Sequence, residues 1–190
     1  MNPKILLILA ALTLSAQSGD GPQFTAGGEL GLPKNYREWV YLSSGLGMTY
    51  GPAQSADPVN PNFDNVFVNP SSYRAFLDTG RWPDKTMFIL EVRRSRGKGS
   101  INNGGHYQSE VVSVEAAVKD EQRFPQKWAY INFGHSDKAR PLPATSSCNS
   151  CHSQNAAVEN TFVQFYPTLL DVAVARKTLN PAYVTKTAEQ

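Results

Sequence analysis

The sequence predicts an α+β domain, a mainly antiparallel β-sheet with flanking helices. Three observations carry the prediction. Several segments alternate with a two-residue period, one early stretch is punctuated as a helix, and helical spacing returns only towards the C-terminus.

The chain opens on a targeting signature. Lys4 precedes an apolar run, Ile5 to Leu14, that is too short to span a bilayer, and Ala16-Gln17-Ser18 fits the small-x-small rule for cleavage. Residues 1–18 are therefore expected to be a signal peptide and the mature chain to be periplasmic or secreted, with an uncleaved anchor as the rival. No stable membrane span is expected in the mature chain. Residues 19–33, with five Gly and two Pro, are expected to form a flexible lead-in.

A β-favouring run starts at Trp39 to Leu42 and is broken by Gly45, Gly47 and Gly51-Pro52. Asp57 to Asn62 reads as a loop and Phe63 to Val68 as a short strand. The helix follows: Asn69 can cap it, Pro70 suits its first position and Gly80 its end. Its apolar stripe of Tyr73, Phe76 and Leu77 is expected in the core. Thr86 to Arg93 is apolar on both faces, as in a strand between layers.

Ser95 to Gly105 reads as a hairpin connection. His106 to Val118 then alternates, with Val112, Val114, Ala116 and Val118 on one side and Val111, Ser113, Glu115 and Ala117 on the other. A helical turn can start at Asp120, and Trp128 to Gly134 is a further strand. The C-terminal part is read as helical, with Val158, Phe162, Phe165 and Leu169 on one face and Pro167 as a break or kink. The domain proper is taken as 34–180, and 181–190 as a tail.

The 190 residues suffice for one domain with a sizeable core, and 41% hydrophobic against 18% charged residues is a globular composition. A formal net charge of +2 gives no electrostatic reason to expect nucleic acid as a partner.

The chemistry lies in the only two cysteines, in Cys148-Asn149-Ser150-Cys151-His152. Two thiols at this spacing can add to the two vinyl groups of haem, and the following histidine can ligate the iron. A redox dithiol needs no adjacent histidine, and a zinc site needs about four ligands, with only His106 and His135 to spare. One covalent haem c per chain is therefore expected, held by Cys148 and Cys151 and ligated by His152. His106, His135, Met48 and Met87 are candidate sixth ligands. None stands out, and an open iron site is favoured.

The segments PKNYREW (33–39), VNPSSYRAF (68–76), WPDKTMFILEV (82–92), VEAAVKDEQRF (114–124), WAYINF (128–133), CNSCH and FVQFYPTLL (162–170) together resemble the cytochrome P-460 family, which includes the cytochrome c′-β proteins. The resemblance implies an antiparallel β fold with one haem c against the sheet, an open distal side and a homodimer. One branch oxidises hydroxylamine through a haem cross-linked to lysine; the other lacks the link and binds nitric oxide beneath an aromatic cap. Here Leu90 stands at the lysine position, so it can only pack at the haem edge, and hydroxylamine oxidation is disfavoured. Glu115 aligns with a distal proton-relay carboxylate, while Phe63 and Phe88 are candidates for the cap. The expected function is binding of nitric oxide or a related small ligand. Hydroxylamine oxidoreductase and periplasmic electron carrier are the alternatives.

Overall fold

A computed structural model describes residues 19–50, 57 and 59–188. The expected signal peptide and the Gly51-Pro52 break lie outside the described residues. Five strands form the main sheet: β2 (Val40–Leu46), β3 (Phe63–Val68), β4 (Met87–Arg96), β5 (Tyr107–Lys119) and β6 (Trp128–Gly134). They pair antiparallel in chain order. β5 and β6 were signalled by alternation, β2 and β3 by their β-favouring residues and β4 by its apolar run. Strand β2 continues through Gly45, where a break was expected, because Gly45 pairs with Asp64. The fold is α+β with a mainly antiparallel sheet, as predicted.

The lead-in is not free. Leu30–Gly31 (β1) pairs with Lys138–Ala139 (β7), and Leu30 is fully buried. Burial of one leucine contributes about 1.5–3 kcal/mol, so the apolar residues among the glycines hold the segment to the body.

Helix α1 (Pro70–Thr79) begins and ends where the punctuation places it, with Gly80 in the left-handed region at φ 68°. The cap differs from expectation. The Asn69 side-chain carbonyl instead accepts from the Met87 backbone N–H at 2.9 Å. The first turn is capped by Asp20, whose carboxylate accepts from the Ser71 N–H at 2.8 Å. Phe76 is buried, but Leu77 is 39% exposed and does not belong to the core.

The two sheet faces carry separate cores. Met87, Ile89, Val114, Ala116, Val118, Ala129 and Ile131 pack on one face against Leu30, Tyr36 and Trp39. Val111, expected on the Glu115 side, packs with this core because the β4–β5 register shifts beside Arg93. On the other face Val68, Phe88 and Trp128 meet α1 and the C-terminal segment, with Phe76, Trp82, Tyr166 and Leu169 at the centre.

The C-terminal part is not one helix. α2 (Ser147–Asn155) is followed by a loop in which Val158 bridges Thr161. A 3-10 turn, Val163–Phe165, then leads to α3 (Pro167–Arg176). Pro167 opens α3 rather than breaking a longer helix, because a first-turn position needs no N–H. The expected tail contains α4 (Pro181–Ala188), and the residues after Asp120 form a turn rather than a helix.

Candidate haem site

The register of the sheet builds one wall of a cleft. Val66, Leu90 and Glu115 lie side by side across β3, β4 and β5, and Val68, Phe88, Ala117 and Tyr130 form the next row. Asp64 and Val92 lie one row further along the same face. A bulge in β2 between Tyr41 and Ser43 changes the alternation, so Leu42 is buried in the core while Ser43 and Gly45 turn to the cleft.

Opposite this wall stand α2 and the loop after it, which bring Cys148, Cys151, His152 and Phe162 to the same space. The cleft measures about 450 Å³, within the usual range of cofactor sites.

Cys148 and Cys151 are free thiols, each partly exposed. Burial and the nearby Glu115 charge push the Cys148 thiol above its ordinary range. The His152 ring lies between Tyr130 and Phe162, each with its centroid at 4.3 Å. His152 Nδ1 donates to the Asn160 carbonyl at 2.8 Å, which fixes the tautomer and leaves Nε2 as the lone-pair nitrogen. Burial lowers the His152 pKa, favouring the neutral ring that a metal requires.

The loop that supplies this carbonyl is pinned on three sides. Lys119 Nζ binds the Glu159 carboxylate at 2.9 Å and the Trp82 carbonyl at 2.7 Å. The Trp82 indole donates to Thr161 Oγ1 at 2.8 Å, and Asn180 Nδ2 donates to the Glu159 carbonyl at 2.8 Å. Together these ties hold Glu159 in the left-handed region, at φ 51°.

Two carboxylates face the cleft. Burial raises the Glu115 pKa, and the Asp64 charge raises it further. Burial also raises Asp64, opposed by a hydrogen bond from the Tyr50 hydroxyl at 3.4 Å.

Of the residues singled out in the sequence, Cys148, Cys151, His152, Leu90, Glu115 and Phe88 all line the cleft. Phe88 is also core, meeting Trp82 edge-on at 4.8 Å and stacking on Tyr166 at 6.2 Å. Phe63 does not line it: strand alternation turns Asp64 and Val66 inward and Phe63 to the opposite face. Among the candidate sixth ligands, His106 binds the Val59 carbonyl at 3.0 Å and Met87 lies in the opposite core. Neither of these, nor His135, lines the cleft; Met48 does. Met48 lies against Gly45, where any Cβ would run into its Sδ and Cγ.

Sequence reasoning missed Asp64, Tyr50 and Tyr130. The Tyr130 hydroxyl is buried without a hydrogen-bond partner of proper geometry, although the Asn160 side chain lies near enough to favour the phenolate slightly. Burial outweighs that influence and pushes the phenol up. An orphaned donor in a cleft that also offers two thiols and a neutral imidazole fits an occupant with hydrogen-bond acceptors of its own. Haem, with its carboxylates, is such a group.

The fold is thus that of an α+β protein whose cleft and donor set fit a haem. Residues 33–163 match the cytochrome P460 family; this is more than half of the chain, and the chain belongs to that family. Membership implies a haem cofactor and a cytochrome. No curated protein matches the chain.

Proposed function

We propose that the chain is a monohaem c-type cytochrome that binds nitric oxide or a related small ligand at an open iron site. Cys148 and Cys151 would hold the haem by two thioether bonds and His152 would ligate the iron. The observation that carries this reading is the convergence on one cleft of both thiols and a histidine whose Nδ1 is already engaged by a backbone carbonyl. When bound, the haem would supply an iron that accepts an electron pair from a small ligand and can change oxidation state. The chain's own residues orient the imidazole through Asn160, wall the cleft with Phe88 and Leu90, and place an acid, Glu115, on the face beside Leu90.

Hydroxylamine oxidation is disfavoured in this reading. Among the described residues no lysine lines the cleft, Leu90 has no nucleophile, and Lys85 Nζ is held at 2.6 Å by Asp120. One observation favours the electron-carrier alternative: Met48, a thioether of the ligating type, lines the cleft. Export of the chain, which residues 1–18 support, belongs to the same proposal, because thioether attachment is a feature of exported cytochromes.

Two measurements test the reading. Cys148→Ser with Cys151→Ser should leave no haem bound after denaturation; retention through both vinyl positions would refute it. The absorption spectrum should show high-spin five-coordinate iron. A low-spin six-coordinate spectrum that Met48→Ala converts to high spin would establish the carrier instead.

A further inference from the structure

Charge in the cleft is one-sided. Asp64 and Glu115 approach it from strands β3 and β5, on either side of the β4 residues Leu90 and Val92. Asp64 is 9% exposed, and its carboxylate accepts a hydrogen bond from the Tyr50 hydroxyl. Neither carboxylate has an ion-pair partner, and no lysine or arginine lines the cleft, among the described residues. The other titratable lining groups are Tyr50, Tyr130, Tyr166, Cys148, Cys151 and His152; phenols and thiols are types that carry no charge at neutral pH. Of these six, only the imidazole is of a type that can carry positive charge, and the haem reading assigns it to the iron.

We propose that Asp64 is a specificity-determining residue of this cleft: with Glu115 it makes the site reject small inorganic anions and admit neutral or proton-donating ligands. The inference rests on the haem reading above. A carboxylate on a poorly solvated wall repels an incoming anion more strongly than it would in water, because the intervening dielectric is low. It costs a neutral ligand nothing of that kind, and when protonated it offers that ligand a hydrogen bond. Tyr50 acts through Asp64, since its hydroxyl donates to the carboxylate and so favours the charged form.

The test uses the haem-loaded full chain and optical titration with azide as the anion and imidazole, at mildly alkaline pH, as the neutral ligand. Asp64→Asn should tighten azide binding about tenfold, the scale of one unit charge removed from a partly desolvated site. Imidazole affinity should change less than about twofold, since no net charge enters with it. If Asp64→Asn does not fold, Asp64→Ser, which removes the same charge, decides the matter with the same two ligands. A coloured charge-removing variant whose azide affinity is unchanged overturns the proposal. A colourless parent that takes up no haem refutes the haem reading instead.

Discussion

Lys119→Met removes a cation that the haem-side loop uses twice. Its ammonium lies 2.7 Å from the Trp82 carbonyl and 2.9 Å from Glu159, with Glu121 at 3.5 Å. The Lys119 side chain is 9% exposed and Glu159 19%, so the pair is largely but not fully out of water. Methionine fills the same space but leaves a carboxylate and a carbonyl without their donor. Breaking a buried pair from one side costs about 3–5 kcal/mol, and residual water at Glu159 places this one near 3 kcal/mol on that scale. For a domain of this size that is a fall in Tm of about 6–12 °C.

Circular dichroism melts of the parent, Lys119→Met, Glu159→Gln and the double variant would form a complete cycle. The double variant should melt above the sum of the two single losses, because the stranded carboxylate is then gone. A Lys119→Met loss below about 2 °C, less than one kcal/mol on the same scale, would refute the reasoning. So would strict additivity in the cycle.

Three further outcomes follow from the geometry. Glu115 has its folded pKa raised above the ordinary 4.5 by burial and by Asp64. The folded state therefore holds its proton to higher pH than the unfolded state, and stability is lost as pH rises from about 4.5 through the raised value. Glu115→Gln should accordingly raise Tm at pH 7 relative to the parent and have little effect at pH 4; equal effects at both would count against a buried carboxyl. Peptide mass spectrometry should find two thioether links and no lysine joined to the macrocycle, and a third link, from Lys85 or any other lysine, would remove Leu90 from its assigned role. Phe88→Ala should cost about 3–5 kcal/mol, read as a large fall in denaturation midpoint, because its ring joins Trp82 and Tyr166.

Much of the fold was readable because strand periodicity and helix punctuation are local. Trp128 to Gly134 and Pro70 to Thr79 needed nothing beyond their own residues to be recognised. The motif from Cys148 to His152 was equally local. What escaped depends on register between distant segments. Leu42 sits at a bulge, so Tyr41 and Ser43 on either side of it face opposite ways, which no two-residue period can anticipate. Asp64 gains its place only because β3 pairs with β4 in one register; a slip by one would have exchanged it for Phe63, the residue expected in the cleft. Asp20 caps a helix 51 residues away, a tie that a run of glycines concealed.

Helix α2 has an unusual standing among the elements. Not one of its nine residues is buried, and it has no apolar face of its own to bury. A helix so short does not persist in water by its intrinsic preference. Its order is borrowed from contacts of its C-terminal half: His152 to the Asn160 carbonyl, and Lys186 of α4 to the Gln154 carbonyl at 3.0 Å. Such a segment opens at a small fraction of the free energy that unfolds the sheet. The two thiols can therefore be presented to a reaction partner by a local opening, while the wall they will face stays assembled and holds its register.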